Sequence, residues 1–148
     1  MNNLTIGGAG FTYYETLGGG QGASSGADGP SGVHVAMSNT LNTPVEALET
    51  AYPLRVEAYR LRRGSGGAGA HRGGDGVERR VRVLVEADAS VIAERRARGP
   101  SGRDGGEDGA PGRTTLNGTP LPAKWRGTLA AGDVLGIETP GGGGFGQA

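Results

Sequence analysis

Cysteine is absent from the 148 residues, and lysine occurs once, at Lys124. Without cysteine there are no disulfides and no thiolate metal ligands, which excludes the small disulfide-stapled secreted scaffold. Fifteen basic and fifteen acidic residues cancel, so no general field draws nucleic acid or an anionic membrane surface. Apolar runs extend over only a few residues, far short of the roughly 20 that span a bilayer, and Met1 is followed by no basic-then-apolar leader. The chain is therefore expected in the cytoplasm, with neither a membrane nor a nucleic acid as partner. The lone lysine follows Ala123, which rules out a Walker-type phosphate loop, since that loop needs Gly-Lys-Ser or Gly-Lys-Thr.

Glycine is what the chain has in excess: 32 residues of 148, against a usual share of about 7%. Collagen would need strict triplets and a third of all positions, so the excess has another purpose. The glycines fall in four clusters, at residues 18–32, 64–76, 99–112 and 141–146. Segments between them carry the element signals. Val77, Arg79, Val81, Val83 and Val85 alternate with Glu78, Arg80, Arg82, Leu84 and Glu86, which predicts a half-buried strand with the valine face inward. Residues 54–61 alternate too, with Leu54, Val56 and Ala58 on one face. Short β-like runs occupy 33–37 and 91–93. Residues 114–116 and 119–121 flank Asn117-Gly118, a pair suited to a type I′ hairpin turn. Beyond it, 125–129 and 134–139 are joined by the turn-like Ala130-Ala131-Gly132-Asp133.

One helix is predicted, over residues 44–51. Thr43-Pro44-Val45-Glu46 reads as a capping box with proline at the first helical position, and Tyr52 before Pro53 is pushed out of helical space. The whole predicts a single mainly β domain over 1–148, sandwich- or barrel-like, with one short helix and long glycine-rich loops. Residues 98–113 are the expected mobile loop.

Short motifs carry little chemistry. Residues 64–69 satisfy GxGxxG and residues 18–23 satisfy GxGxxA, yet neither is followed by the helix whose amino end would hold a pyrophosphate. Gly22-Ala23-Ser24-Ser25-Gly26 matches the serine-hydrolase elbow without its strand and helix. His34, His71, Asp28 and Asp75 match no metal framework, so no metal ligand is assigned. Arg79, Arg80 and Arg82, and then Arg95, Arg96 and Arg98, lie among glutamates and lack interleaved aromatics, which reads as a salt-bridged sheet face. Two polar groupings remain: Asn39, Thr40, Asn42 and Thr43 before the helix, and Ser65-Gly66-Gly67 with Arg72-Gly73-Gly74-Asp75. Either shapes a chain corner or exposes backbone N–H groups in an anion-binding nest.

Five blocks taken together are more specific. GFTYYETLGGGQGA (10–23), SNTLNTPVEALETAYPLRVEAYRLR (38–62), GSGGAGAHRGGDGVERR (64–80), ERRARGPSG (94–102) and GDVLGIETPGGGGFG (132–146) follow in an order that resembles the carboxy-terminal portion of the hydantoinase B/oxoprolinase family. The resemblance covers the chain from Asn2 onward, so Met1 reads as an internal start within a longer family member. It implies ATP-dependent opening of cyclic amides such as N-methylhydantoin or 5-oxoproline, or carboxylation of ketones such as acetone in related complexes. ATP is then expected on a hydantoinase A-type subunit, and the divalent metal on the missing amino-terminal portion. No cofactor is expected on this portion itself, which is not expected to be catalytic alone. Asn39, Glu46, Ser65, Arg72 and Asp75 are the candidates for substrate or interface contacts. Because glycine-rich loops are costly to order, at about 1–2 kcal/mol of backbone entropy per residue, they are expected to be held by neighbouring protein, in a homo-oligomer or by the missing portion.

Overall fold

The valine alternation becomes strand β4 (Gly76–Val83), with Val77, Val81 and Val83 buried on one face. This comes from a computed structural model, which describes residues 1–35, 38 and 40–148. The strand ends two residues earlier than the alternation. At Leu84 and Val85 the chain leaves one sheet for the other, so Val85 is exposed rather than inward-facing.

Nine strands and one helix are described: β1 (Asn2–Gly8), β2 (Phe11–Thr16), α1 (Val45–Ala51), β3 (Leu54–Arg62), β4, β5 (Ala87–Ala93), β6 (Arg113–Leu116), β7 (Thr119–Leu121), β8 (Lys124–Leu129) and β9 (Val134–Glu138). They form two antiparallel sheets, ordered β2-β1-β5-β8 and β3-β4-β9-β6-β7. Both sheets are open, so of the two expected architectures the sandwich is the one formed. Alternate residues of each sheet supply the core: Leu4, Ile6, Ala89 and Val91 from one, Val81, Val83, Leu135 and Ile137 from the other. Leu48 of α1 joins them, fully buried. Among the described residues no helix is long and apolar enough to cross a membrane.

Three local expectations change. The β3 register shifts between Val56 and Ala58, so Tyr59 pairs with Arg79 and Leu61 with Val77. This bulge moves the inward phase by one residue and takes Ala58 off the face of Leu54 and Val56. Helix α1 forms nearly where expected, but its N-cap is Pro44, whose ψ of 141° is extended, and no side chain caps it. Thr43 thus stands one residue outside the cap, and the Thr43–Glu46 box is not made. The Asn117-Gly118 turn is as expected, with φ of 49° and 84°, positive at both positions as type I′ requires. The β-like run at 33–37 shows only an isolated bridge between Val33 and Gly19, and residues 36 and 37 lie outside the described set.

The four glycine clusters meet in one layer beside the sandwich, with residues 141–146 at its centre. Gly67 N–H donates to Gly142 O at 2.9 Å, Gly142 N–H to Gly74 O at 2.8 Å, and Gly74 N–H to Gln21 O at 2.9 Å. From the expected mobile loop, Ala110 N–H donates to Ser65 O at 2.7 Å and Glu107 N–H to Ala68 O at 2.7 Å, while Gly144 N–H donates back to Glu107 O at 2.9 Å. That stretch is tied into the layer, and the four clusters are hydrogen-bonded to one another. Close main-chain approach is the reason for glycine here: a Cβ on Gly142 would collide with the Gln21 carbonyl, and one on Gly73 with the Gly142 carbonyl.

Candidate functional site

Arg79 sits on the inward face of β4, between valines, and is fully buried. A guanidinium placed there must be paired, because an isolated charge cannot leave water cheaply. Its partner is Glu15 of β2, 4% exposed, across the two sheets: Arg79 Nη2 donates to Glu15 Oε1 at 3.2 Å. The guanidinium carbon lies 4.5 Å from the centre of the Tyr59 ring, a cation–π stack that the β3 bulge makes possible.

Asn42 closes this pair. Its Nδ2 donates to Glu15 Oε1 and to Thr16 O, both at 2.9 Å. Oδ1 accepts from the Tyr59 hydroxyl at 2.9 Å and lies 3.0 Å from His34 Nε2. Because both amide hydrogens are spent, Oδ1 must be the atom facing His34, so His34 carries its proton on Nε2. Its Nδ1 is buried without a partner, as are Tyr13 Oη, Glu15 Oε2, Arg79 Nε and Arg79 Nη1. Burial, and then the Glu15 carboxylate, push the Tyr13 phenol well above its ordinary value. Burial likewise raises Tyr59, against the opposing pull of Arg79. Both rings therefore remain neutral hydrogen-bonding groups at ordinary pH. The arrangement is a polar cluster that joins both sheets to Asn42, ahead of α1.

Of the residues expected from sequence, Ser65, Arg72 and Asp75 are brought together. Asp75 Oδ1 accepts from Gly66 N–H at 2.9 Å and from Arg72 Nη2 at 3.1 Å, and Ser65 Oγ accepts from Gly76 N–H at 2.8 Å. The backbone amides of this would-be nest are spent inside the protein: Gly67 on Gly142 O, Gly73 on Gly67 O, Gly74 on Gln21 O, and Asp75 on Ser31 Oγ. Glu46 lies exposed in the first turn of α1, and no side-chain hydrogen bond links it to the other three. Asn39 lies outside the described residues. Among the described residues no three His, Asp or Glu side chains gather as metal ligands. Neither glycine motif opens a helix, and Ser24 sits in a tight bridge with Ala27.

The arginine runs divide. Arg80 and Arg82 do form a salt-bridged face, with Glu78 and Glu57, but Arg79 is core. Arg96 is held by neutral acceptors, Asn2 Oδ1 and Glu94 O, both at 2.9 Å. Burial, and then Arg62, lower Arg96 to about 10. No ion pair forms at Arg95, Arg96 or Arg98 among the described residues, which corrects the salt-bridged reading there. Glu15 and Tyr59 were not picked out by the sequence reading. The available signal was an arginine in phase with three inward valines, which demands a buried carboxylate elsewhere.

The family model described as Hydantoinase B/oxoprolinase matches residues 1–148. The chain is similar to 5-oxoprolinase 1 of Arabidopsis thaliana, 43% identical over 152 residues, covering 99% of this chain and 12% of that protein. Its fold is similar to the crystal structure of the ATP-dependent caprolactamase from Pseudomonas jessenii, with a TM-score of 0.78 and 24% identity over 98% of this chain and 28% of the other. It is also similar to nucleotide-free acetone carboxylase, with a TM-score of 0.69 and 21% identity over 99% of this chain and 25% of the other.

Proposed function

The chain belongs to the hydantoinase B/oxoprolinase family, and from that premise we propose that it is the carboxy-terminal part of an ATP-dependent enzyme opening cyclic amides of the N-methylhydantoin or 5-oxoproline kind. The supporting observation is likeness to a 5-oxoprolinase along 99% of this chain, which spans 12% of that relative. In such a complex a hydantoinase A-type subunit handles ATP, and a divalent metal belongs to the amino-terminal portion. The described residues fit neither group: among them no ligand triad converges, and no glycine turn leads into a helix. No chemical step is therefore routed through either of them. What this chain contributes is shape and positioning. The Arg79–Glu15 pair fixes Asn42, ahead of α1, relative to both sheets, and the glycine layer fixes Ser65, Arg72 and Asp75.

The test is complementation. The purified 148-residue chain is added to an A-type subunit and a B-type subunit lacking the equivalent segment, and ATP-dependent 5-oxoproline opening is measured. Restored turnover is expected from the mixture and none from the chain alone. Turnover by the chain alone without ATP would sink the reading.

A second reading makes this portion an assembly module, in such a hydrolase or in a ketone carboxylase; the fold shared with acetone carboxylase supports the latter. Substituting Asn39, Glu46, Ser65, Arg72 or Asp75 in a full-length relative separates the two. Turnover lost with assembly intact favours a site role, and lost assembly favours the module. Self-association of the 148-residue chain belongs with this second reading, and light scattering over a wide concentration range tests it.

A further inference from the structure

On the outer face of the five-stranded sheet, two cross-strand rows lie side by side. One runs Arg60, Glu78, Glu138, Arg113, and the other Ala58, Arg80, Gly136, Thr115. Glu78 and Glu138 stand directly opposite each other, a repulsive pairing. Four arginines answer it: Arg60 and Arg80 reach Glu78 at 2.7 and 2.6 Å, and Arg62 and Arg113 reach Glu138 at 3.1 and 2.5 Å. Four guanidiniums on two carboxylates leave a local excess of positive charge on a chain of zero net charge.

Gly136 leaves a gap in the second row. A pocket of about 320 Å³ opens above it, bordered by Arg80, Arg113, Thr115, Glu78, Glu138 and Glu57, the last of these paired with a fifth arginine, Arg82. A Cβ on Gly136 would stand 2.7 Å from Thr115 Oγ1 and 3.9 Å from Arg80 Cγ, so a side chain there would project into this gap. Both bordering arginines keep donors in reserve. Arg80 Nε lies 2.6 Å from Glu78 Oε1 and Arg113 Nη2 donates to Glu138 Oε1, while among the described residues Arg80 Nη1 and Nη2 and Arg113 Nε and Nη1 make no hydrogen bond. Their side chains are 50% and 60% exposed, and the Thr115 hydroxyl makes no hydrogen bond among the described residues. Hydrogen bonding from Arg60 holds the Glu78 carboxyl below its ordinary value, so it remains an anchor for Arg80 rather than a competing donor.

We propose that this pocket binds the carboxylate of a small organic acid, with the free guanidinium edges of Arg80 and Arg113 holding its oxygens and Thr115 donating a third hydrogen bond. A monoanion suits the site, because Glu57, Glu78 and Glu138 repel a second negative charge.

The test titrates the 148-residue chain with sodium butyrate at fixed ionic strength, read by amide chemical shifts, with inorganic phosphate and sodium chloride as parallel arms. Saturable butyrate binding is expected, with shifts centred on Arg80, Thr115 and Gly136. Arg80→Gln or Arg113→Gln should weaken it about tenfold, as for one charge-assisted hydrogen bond. Gly136→Val keeps every charge but fills the gap, and should abolish binding. Thr115→Val provides a milder loss, of a few fold, should the valine variant fail to fold. Absence of saturable binding, an equal response to chloride, tighter binding of phosphate, or undiminished butyrate binding in the folded Gly136→Val or Thr115→Val chain would each overturn the proposal.

Discussion

Replacing Arg79 with methionine is the sharpest test of what holds the two sheets together. The substitution keeps most of the side-chain volume and removes the charge. Glu15, 4% exposed, would then keep Asn42 as its only side-chain hydrogen-bonding partner among the described residues, an uncompensated carboxylate between two sheets. Breaking a buried pair in this way costs about 3–5 kcal/mol. With ~2–4 °C lost per kcal/mol for a domain of this size, the midpoint should fall by roughly 6–20 °C. The partner substitution supplies the internal control. Arg79→Met combined with Glu15→Leu removes both charges and should recover most of the loss, since an apolar replacement of a whole buried pair is often neutral or better. Urea unfolding of the four chains, with slopes compared as well as midpoints, gives the coupling directly. A single-variant loss below about 1 kcal/mol, or a double variant no better than the single, would refute the claim that this ion pair is desolvated and mutually dependent.

In the glycine layer, Gly142→Ala forces a Cβ into the Gln21 carbonyl and should cost at least the ~1–3 kcal/mol of overpacking. Gly26→Ala, with open space and no positive φ, should stay within about 0.5 kcal/mol in the same melts. At the hairpin, Gly118 has φ of 84°, so Gly118→Ala should cost about 1 kcal/mol, measured by denaturant midpoint. For pH, the Glu78 carboxyl is lowered chiefly by its hydrogen bond from Arg60. Its contribution is complete above the ordinary glutamate value and disappears as pH falls through the depressed one. Glu78→Gln should therefore flatten the acid limb of stability against pH below about 4.3 and leave the neutral plateau less affected by acid titration.

How far the sequence reveals this fold depends on whether a feature is local. The β4 alternation and the Asn117-Gly118 turn are local, and they appear where the residues indicate. The β3 bulge is not local: its reason is that Tyr59 must meet Arg79 on the neighbouring strand, which no pattern within 54–62 discloses. The glycine clusters were legible as turns but not as a layer. Their order comes from main-chain bonds between segments far apart in sequence, such as Gly67 to Gly142 and Glu107 to Ala68, and a glycine carries no side chain to advertise its partner. The buried site was half legible, because Arg79 stood in phase with inward valines while Glu15 lay 64 positions away.

The layer and the ion pair solve a common problem from opposite directions. A glycine-rich segment offers almost no apolar side chain to hide, so collapse alone cannot order it, and its amides must find acceptors one by one. Those acceptors stand where the sheets set the positions from which the loops depart, at Leu17 after β2, Gly76 at the start of β4 and Thr139 after β9. All three departure points are buried. Thr139 shows the dependence most plainly. Its Oγ1 accepts from Val77 N–H at 2.8 Å, and its N–H donates to Val77 O at 2.8 Å. The last strand's exit is thereby locked to the start of β4 at the point where residues 141–146 enter the layer. Thr139→Val keeps the shape but removes the hydroxyl acceptor, leaving the Val77 amide buried without a partner, at a cost of about 1–3 kcal/mol. If the layer depends on that lock, hydrogen exchange should quicken first at Gly142 and Gly144, ahead of the core amides of Leu135 and Ile137. A uniform rise across both groups would show instead that layer and sandwich open as one unit, with no order between them.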